Sequence, residues 1–343
     1  MTTDVRPDSV RTPGRTWTEF PVEPGEQGHG TVAVTAPDEV TIRTAVDADL
    51  FRQIDADRNA VTARHATALD LFNTVVVEVP DGEAVEEPVR IATRIEEGFF
   101  PHHVIVDIGD AASATVVEEN RGSGVMDAGI VEVHAGDAAD LTYRKYNALE
   151  GGTGYADAHA TVGADATINW LVVSTGADLY RSTVETVLAG PRSRLDYRLG
   201  FLSAGEQHMD HTARVAHAAD NTACDIDARG VALDASRAVY KGVQEVEEGA
   251  EGTESYQDER TVLIGEEAEA DTTPQLRIDN HDVEATHAAT TGHVNEKDLF
   301  YMQSRGLTDA AAKRSIITGM FDDLAAAGDA RDLLHGKIDA ALR

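Results

Sequence analysis

Cysteine is nearly absent from this chain: Cys224 stands alone in 343 residues. One thiol excludes an internal disulfide and any metal site built from several cysteines of this chain. Lysine is almost as scarce. Lys145, Lys241, Lys297, Lys313 and Lys337 are all there are, and basic residues number 29 against 61 acidic ones, for a net charge of −32. Such a surface repels nucleic acid and anionic membranes, so neither is expected as a partner. The carboxylates are spread along the whole chain rather than gathered in a tail. That pattern resembles proteins of salt-loving archaea, in which high salt screens self-repulsion. Long apolar runs are also missing. No stretch of about 18 apolar residues exists, so no membrane-spanning helix is expected. Met1–Pro24 carries Asp4, Asp8 and prolines where a signal peptide would have an apolar core, and the expected location is the cytoplasm. Two catalytic signatures are absent as well. Nothing fits the phosphate-cradling Gly-x-x-x-x-Gly-Lys-Ser/Thr loop or the Gly-x-Ser-x-Gly nucleophile elbow, and the carboxylates are too numerous for one pair to stand out as an acid/base couple.

What the chain does have is a period. Gly82, Gly109, Gly136, Gly163 and Gly190 each lie 27 residues from the next. A strict repeat of this size marks a solenoid, in which each repeat stacks on its neighbour. The flanks share it. Leu141, Ile168 and Leu195 follow their glycines at one offset, and Val116, Tyr143, Trp170 and Tyr197 at another two residues on, with Thr142, Asn169 and Asp196 between. Apolar residues two apart alternate as a half-buried strand does. A short, loop-rich repeat with a strand at a fixed offset implies parallel strands stacked about 4.8 Å apart. The expected fold is mainly β: a parallel (right-handed) β-helix solenoid with a C-terminal helical region and a short mixed N-terminal region.

Residues 1–28 are rich in Pro, Gly, Thr and charge and are expected to be flexible. Residues 29–74 form an N-terminal α/β region, with short strands Thr31–Thr35 and Val40–Thr44 around Pro37-Asp38 and a helix over Ala48–Leu71. The β-helix occupies 75–306 and C-terminal helices 307–343. Thr308 can cap a helix carrying Asp309 in its first turn. Ile316, Met320 and Leu324, with Ile317 and Phe321 beside them, make one apolar stripe. Gly319 inside it costs about 1 kcal/mol against alanine, which close packing of another backbone would explain. Gly328 is placed at the end of this helix, and Leu334, Ile338 and Leu342 share a face of the next. Such helices either cap the open edge of a solenoid or dock a partner.

Counting 27 on from Tyr197 places Cys224 in the column of Val116, Tyr143, Trp170 and Tyr197. That favours an inward-facing thiol serving as a small core hydrophobe over a reactive or ligating one. Histidines concentrate in the second half: His208, His211, His217, His281, His287 and His293. On a strand His211 and His217 share a face and His208 takes the other. This does not supply the three or four converging ligands of a stable metal site, and the competing reading is histidines hydrogen-bonded between stacked rungs.

The C-terminal wording is specific. Pro274-Gln275-Leu276-Arg277-Ile278, Asp282-Val283, Thr286-His287-Ala288-Ala289-Thr290-Thr291-Gly292 and Leu299-Phe300-Tyr301-Met302-Gln303-Ser304-Arg305-Gly306 closely resemble the signature of the SufB/SufD family, subunits of the SUF iron–sulfur cluster assembly complex. Val77–Gly82 with Glu87–Ile91, Met209–Thr212 with His217 and Asn221-Thr222, Tyr240-Lys241-Gly242 and Leu263-Ile264-Gly265 add to the resemblance, which covers roughly residues 70–326. The family fold is a parallel β-helix followed by helices. SufB carries its nascent-cluster cysteine shortly before the Leu-Ile-Gly segment, where this chain has Glu259, and a glutamate after the motif histidine, where this chain has Ala288. The resemblance is therefore to SufD, whose functional histidine maps onto His287, although the N-terminal region is shorter than usual for SufD.

The resemblance implies a scaffold rather than an enzyme. It acts with a SufB-like subunit and a SufC-like ATPase, the latter docked on Ile316, Met320, Phe321 and Leu324. No cofactor is expected to be stably bound; a transient iron–sulfur cluster would form at the interface with SufB. His287 is the leading candidate for the assembly site, with His211, His217, Glu259 and Cys224 as secondary candidates. Two other readings stay open: a divergent homodimeric paralogue that no longer builds clusters, and a β-helix enzyme acting on carbohydrate.

Overall fold

The computed structural model describes residues 28–43, 73–322, 324 and 328–342. The helix expected over Ala48–Leu71 and the segment 1–27 lie outside them. Eighteen strands alternate between two sheets. They are β1 (His29–Thr35), β2 (Thr41–Arg43), β3 (Thr74–Val79), β4 (Val89–Glu97), β5 (Phe99–Ile108), β6 (Ser113–Gly122), β7 (Met126–Ala135), β8 (Asp140–Ala148) and β9 (Thr153–Val162). The rest are β10 (Thr167–Thr175), β11 (Leu179–Leu188), β12 (Arg194–Ser203), β13 (His208–His217), β14 (Ala223–Leu233), β15 (Arg237–Val246), β16 (Thr253–Ile264), β17 (Glu269–Ile278) and β18 (Val283–His293). Sheet I holds β1, then the even-numbered strands from β4 to β18; sheet II holds β2, then the odd-numbered strands from β3 to β17. From β3 onward every pairing is parallel, giving a solenoid of about eight turns. The fold is the parallel β-solenoid expected from the period.

The repeated glycines sit in one turn of each rung. Only the first, Gly82, needs the left-handed region (φ 72°); in the later turns that conformation falls two residues on, at Ala111, Ala138, Asp165 and Arg192. Gly109, Gly136, Gly163 and Gly190 are required for another reason. A Cβ on Gly109 would lie 2.5 Å from the Asp81 backbone nitrogen, and one on Gly190 2.0 Å from that of Ala164. Rung stacking leaves no room for a side chain there. Carboxylates bind the same turns together: Asp81 Oδ1 accepts from the Asp110 backbone N–H at 3.0 Å, and Asp110 Oδ1 from that of Asp137 at 2.8 Å.

The two ends differ. The short strands β1 and β2 do not pair with each other: β1 runs antiparallel to β4 and β2 antiparallel to β3, so each extends a different sheet by one antiparallel strand and is outermost there among the described residues. At the other end β17 and β18 are the outermost strands, half-exposed and largely exposed respectively. Chain beyond β18 turns helical within the span assigned to the β-helix: α1 is Glu296–Ser304, α2 Asp309–Phe321 and α3 Gly328–Ala341. Thr308 caps α2 as expected, accepting from the Ala311 N–H at 3.2 Å. Two glycine expectations fail. Gly328 opens α3 instead of closing the helix before it, and nothing lies within 4 Å of a Cβ built on Gly319.

The apolar stripe of α2 and α3 packs on the outer face of sheet I. Ile317, Phe321, Leu324, Leu334 and Ile338 meet Val117, Leu171, Val173, Leu202, Val231 and Leu233. Gly200 on β12 admits them, because a Cβ there would fall 3.2 Å from Leu324 Cδ1. These helices cover a flank of the solenoid, so Phe321 and Leu324 (each 2% exposed) cannot contribute to a docking surface; Ile316 and Met320 remain half-buried.

Candidate functional site

His287 lies on β18, and its register locates it. Stacked pairings run from Val89 through Val116, Tyr143, Trp170, Tyr197, Ile226 and Gln257 to His287. The column of large residues visible in the period thus leads along the solenoid interior to His287, which is exposed because no rung follows. The neighbouring interior column ends Leu199, Ala228, Glu259, Ala289.

Immediately beneath the mouth the interior turns polar. Gln257 occupies the space left by Gly242, where a Cβ would meet its amide at 2.3 Å. This is what the glycine of Tyr240-Lys241-Gly242 is for. Among the described residues, neither amide atom of Gln257 has a hydrogen-bond partner, nor do Glu259 Oε2 and the Tyr240 hydroxyl. Glu259 Oε1 accepts from the Thr261 hydroxyl. Burial raises the Glu259 carboxyl above the usual carboxylate range, against the hydrogen bonds of Thr261 and Thr272. Unpaired buried atoms recur deeper in the solenoid, at Asn147 and Trp170 Nε1; what sets this group apart is its place one rung below the exposed end. Gln257 escaped sequence reading because the step between β14 and β16 is longer than 27 residues.

Of the secondary candidates, His217 and Cys224 meet at Ser255, but among the described residues no three histidine, cysteine or carboxylate side chains converge as a metal site would need. His211 is buried on β13, its Nδ1 2.7 Å from Ser182 Oγ and its ring between Tyr180 and Phe201 at centroid distances of 5.7 and 5.1 Å. His217, at the far end of that strand, bridges Thr222 Oγ1 at 2.7 Å and Ser255 Oγ at 3.1 Å. Both are rung-bridging interior histidines. Cys224 faces inward as expected but in the next column, opposite Leu195; Tyr197 pairs with Ile226. Counted in register, the turn between β12 and β13 is two residues longer than the one between β10 and β11, and the step into β13 and β14 becomes 29. A two-residue slip keeps side-chain parity, so the thiol stays inside. Burial, then the nearby Asp225, pushes its pKa up, which makes it a poor nucleophile or ligand.

The buried histidines predict a pH dependence. Burial lowers His211 to about 3 and His217 to about 4, while the unfolded chain protonates each near its ordinary value of about 6.5. Below that value the unfolded state binds protons that the folded state refuses, so stability falls as pH drops. Each histidine should contribute a slope of about 1.4 kcal/mol per pH unit between roughly pH 6 and 5. Glu259, whose carboxyl is raised by burial, acts in the opposite sense: its contribution grows as pH falls through its folded value and is complete below the unfolded one, so it offsets part of the histidine loss. Denaturant titrations at pH 7, 6 and 5 check the slope, which His217→Gln should reduce by about half. A flat profile would contradict the burial of these rings.

With this geometry in view, comparison with known proteins is decisive for the family. A family model described as SUF system FeS cluster assembly, SufBD core domain, matches residues 90–320. The chain belongs to the SufBD family. Its relatives include the iron-sulfur cluster assembly protein SufD of Bacillus subtilis, 30% identical over 278 residues, which are 78% of this chain and 62% of that protein. A SufBD family protein of Mycobacterium tuberculosis is 29% identical over 273 residues, covering 76% and 68% respectively. A chloroplastic SufBD family protein of Arabidopsis thaliana is 27% identical over 238 residues, covering 67% and 41%. The chain therefore spans less than two thirds of the Bacillus SufD. The SufBD core match takes in the closing rungs, α1 and nearly all of α2, and leaves α3 outside. Among the described residues no helix is long and apolar enough to cross a membrane.

Proposed function

We propose that this chain is a SufD-like scaffold subunit of iron–sulfur cluster assembly, not an enzyme. The observation that carries this reading is the end of the solenoid: β17 and β18 are the outermost strands there among the described residues, and His287 is exposed on β18. An open strand edge is a template for another chain. A SufB-like subunit adding its own edge would bring a thiolate beside His287. The cluster under construction is cargo, and this chain alone, with one buried cysteine, holds none stably. Imidazole grips iron less firmly than thiolate and lets go on protonation, which favours hand-over above storage.

The SufC-like ATPase docks, in this reading, on α1. That helix buries none of its residues, and Phe300 and Tyr301 are 71% and 57% exposed. Arg305 stacks 5.1 Å from the Tyr301 ring centroid and donates to its hydroxyl at 3.0 Å. Exposed aromatics beside an arginine have the composition of a binding hot spot. Phe300→Ser with Tyr301→Ser should abolish co-purification with the ATPase and change stability by no more than about 0.5 kcal/mol. Unchanged co-purification would move the docking site elsewhere. Co-expression with SufB- and SufC-like subunits tests the whole reading. A stable three-component complex is expected. A chain that elutes only as its own dimer, with both partners present, would be the divergent paralogue instead.

A further inference from the structure

The outer face of sheet II carries a second polar site, on the opposite side of the strands from the interior column that ends at the mouth. On an outward face of β11 and β13, Arg181 pairs in register with Asp210 and Thr183 with Thr212; on β15 Lys241 follows Thr212 in the same row. Arg181 is only 8% exposed, and its Nη1 has no hydrogen-bond partner among the described residues. Leaving a guanidinium nitrogen buried and unpaired is costly. Lys241 is half-buried beside it, and its ammonium is disfavoured by burial and then by the cations Arg277, Arg181 and Arg214. In a chain with twice as many acids as bases, this crowding of cations runs against the prevailing charge.

The carboxylates nearby are mostly engaged. Arg214 is bonded to Glu185 and Glu245, and Arg277 to Glu245. Asp157, opposite Thr183, accepts from the Tyr155 hydroxyl at 3.1 Å. Asp210 acts on Lys241 in the stabilising sense but does not reverse the effect of its cationic neighbours.

We propose that Arg181 and Lys241, with the hydroxyls of Thr183 and Thr212, form a binding site for a phosphate-type oxyanion. A planar fork of donors, a point ammonium and two hydroxyls on adjacent strands match the several acceptor oxygens of such an anion. An anion there would pair the buried guanidinium and relieve the repulsion on Lys241. The ligand is inorganic phosphate or the phosphate group of a small organic molecule. The site is independent of the scaffold reading, since it uses none of the residues at the mouth or on α1.

The test uses the full chain at constant chloride concentration. Binding of inorganic phosphate and, separately, of adenosine 5′-monophosphate is followed by phosphorus NMR and calorimetry. Saturable binding of at least one is expected, weakened at least tenfold by Arg181→Gln and by Lys241→Gln and largely retained in Lys241→Arg. Arg192→Gln, which removes a surface arginine paired with Asp165, should leave it unchanged. Tighter binding of the nucleotide than of phosphate would assign an organic ligand; equal binding would assign the free anion. Should Arg181→Gln fail to fold, the half-exposed Lys241 position decides alone. Absence of saturable binding, or equal loss in Arg192→Gln, overturns the site.

Discussion

Lys145→Met is expected to destabilise the folded chain by about 3–5 kcal/mol, the usual cost of stranding one member of a buried ion pair. Lys145 is 2% exposed in the solenoid interior, one rung from the wholly buried Glu118. Its ammonium bonds to Glu118 Oε1, and the Tyr143 hydroxyl donates to Oε2 at 2.7 Å. Burial alone would raise the Glu118 carboxyl; Lys145, then His102, reverse this and hold it below its usual range. Without the lysine that carboxylate loses its main counter-charge. The double variant Glu118→Leu, Lys145→Leu should recover much of the loss, because a well-packed apolar pair replaces two desolvated charges. Recovery would be incomplete, since the Tyr143 hydroxyl loses its acceptor. Denaturant unfolding of the parent, Glu118→Leu, Lys145→Leu and the double variant gives the coupling directly. A single-variant loss under about 1 kcal/mol would mean that the pair is hydrated and not buried as described.

The second large effect is functional. His287→Ala and His287→Gln should both abolish support of cluster formation in a complementation assay while assembling normally with SufB- and SufC-like partners. His287 is exposed at the end of its column, so either substitution should alter stability by no more than about 0.5 kcal/mol. That separates a lost ligand from a lost fold. Glutamine keeps a hydrogen bond but is a poor iron ligand. Full activity in His287→Gln would sink the ligand role and leave the imidazole as a hydrogen-bonding group at the subunit seam.

These two residues were legible to different degrees. His287 stood out through the wording of its motif, and the column that leads to it was already marked by Tyr143, Trp170 and Tyr197. What could not be read was that the column ends there. The longer turns before β13 and β16 shift the period, and only the pairings of Tyr197 with Ile226, Ile226 with Gln257 and Gln257 with His287 carry it through. Lys145 carried a weak signal, as one of five lysines at an inward offset of the repeat, but its partner Glu118 belongs to the preceding rung.

The amino-acid sequence by itself determined the solenoid. The 27-residue glycine repeat and the alternation beside it are local properties, and stacking identical turns leaves one solution for parallel strands. The family motifs did the same for membership. The tertiary structure alone decided which strands lie outermost in the solenoid and where α2 and α3 go. An apolar stripe records that a helix must bury one face but not against which surface, and here Gly200 and the apolar outer face of sheet I take Phe321 and Leu324. That choice leaves β17 and β18 outermost among the described residues and the aromatics of α1 exposed, because edge and flank differ only in the way distant rungs come together.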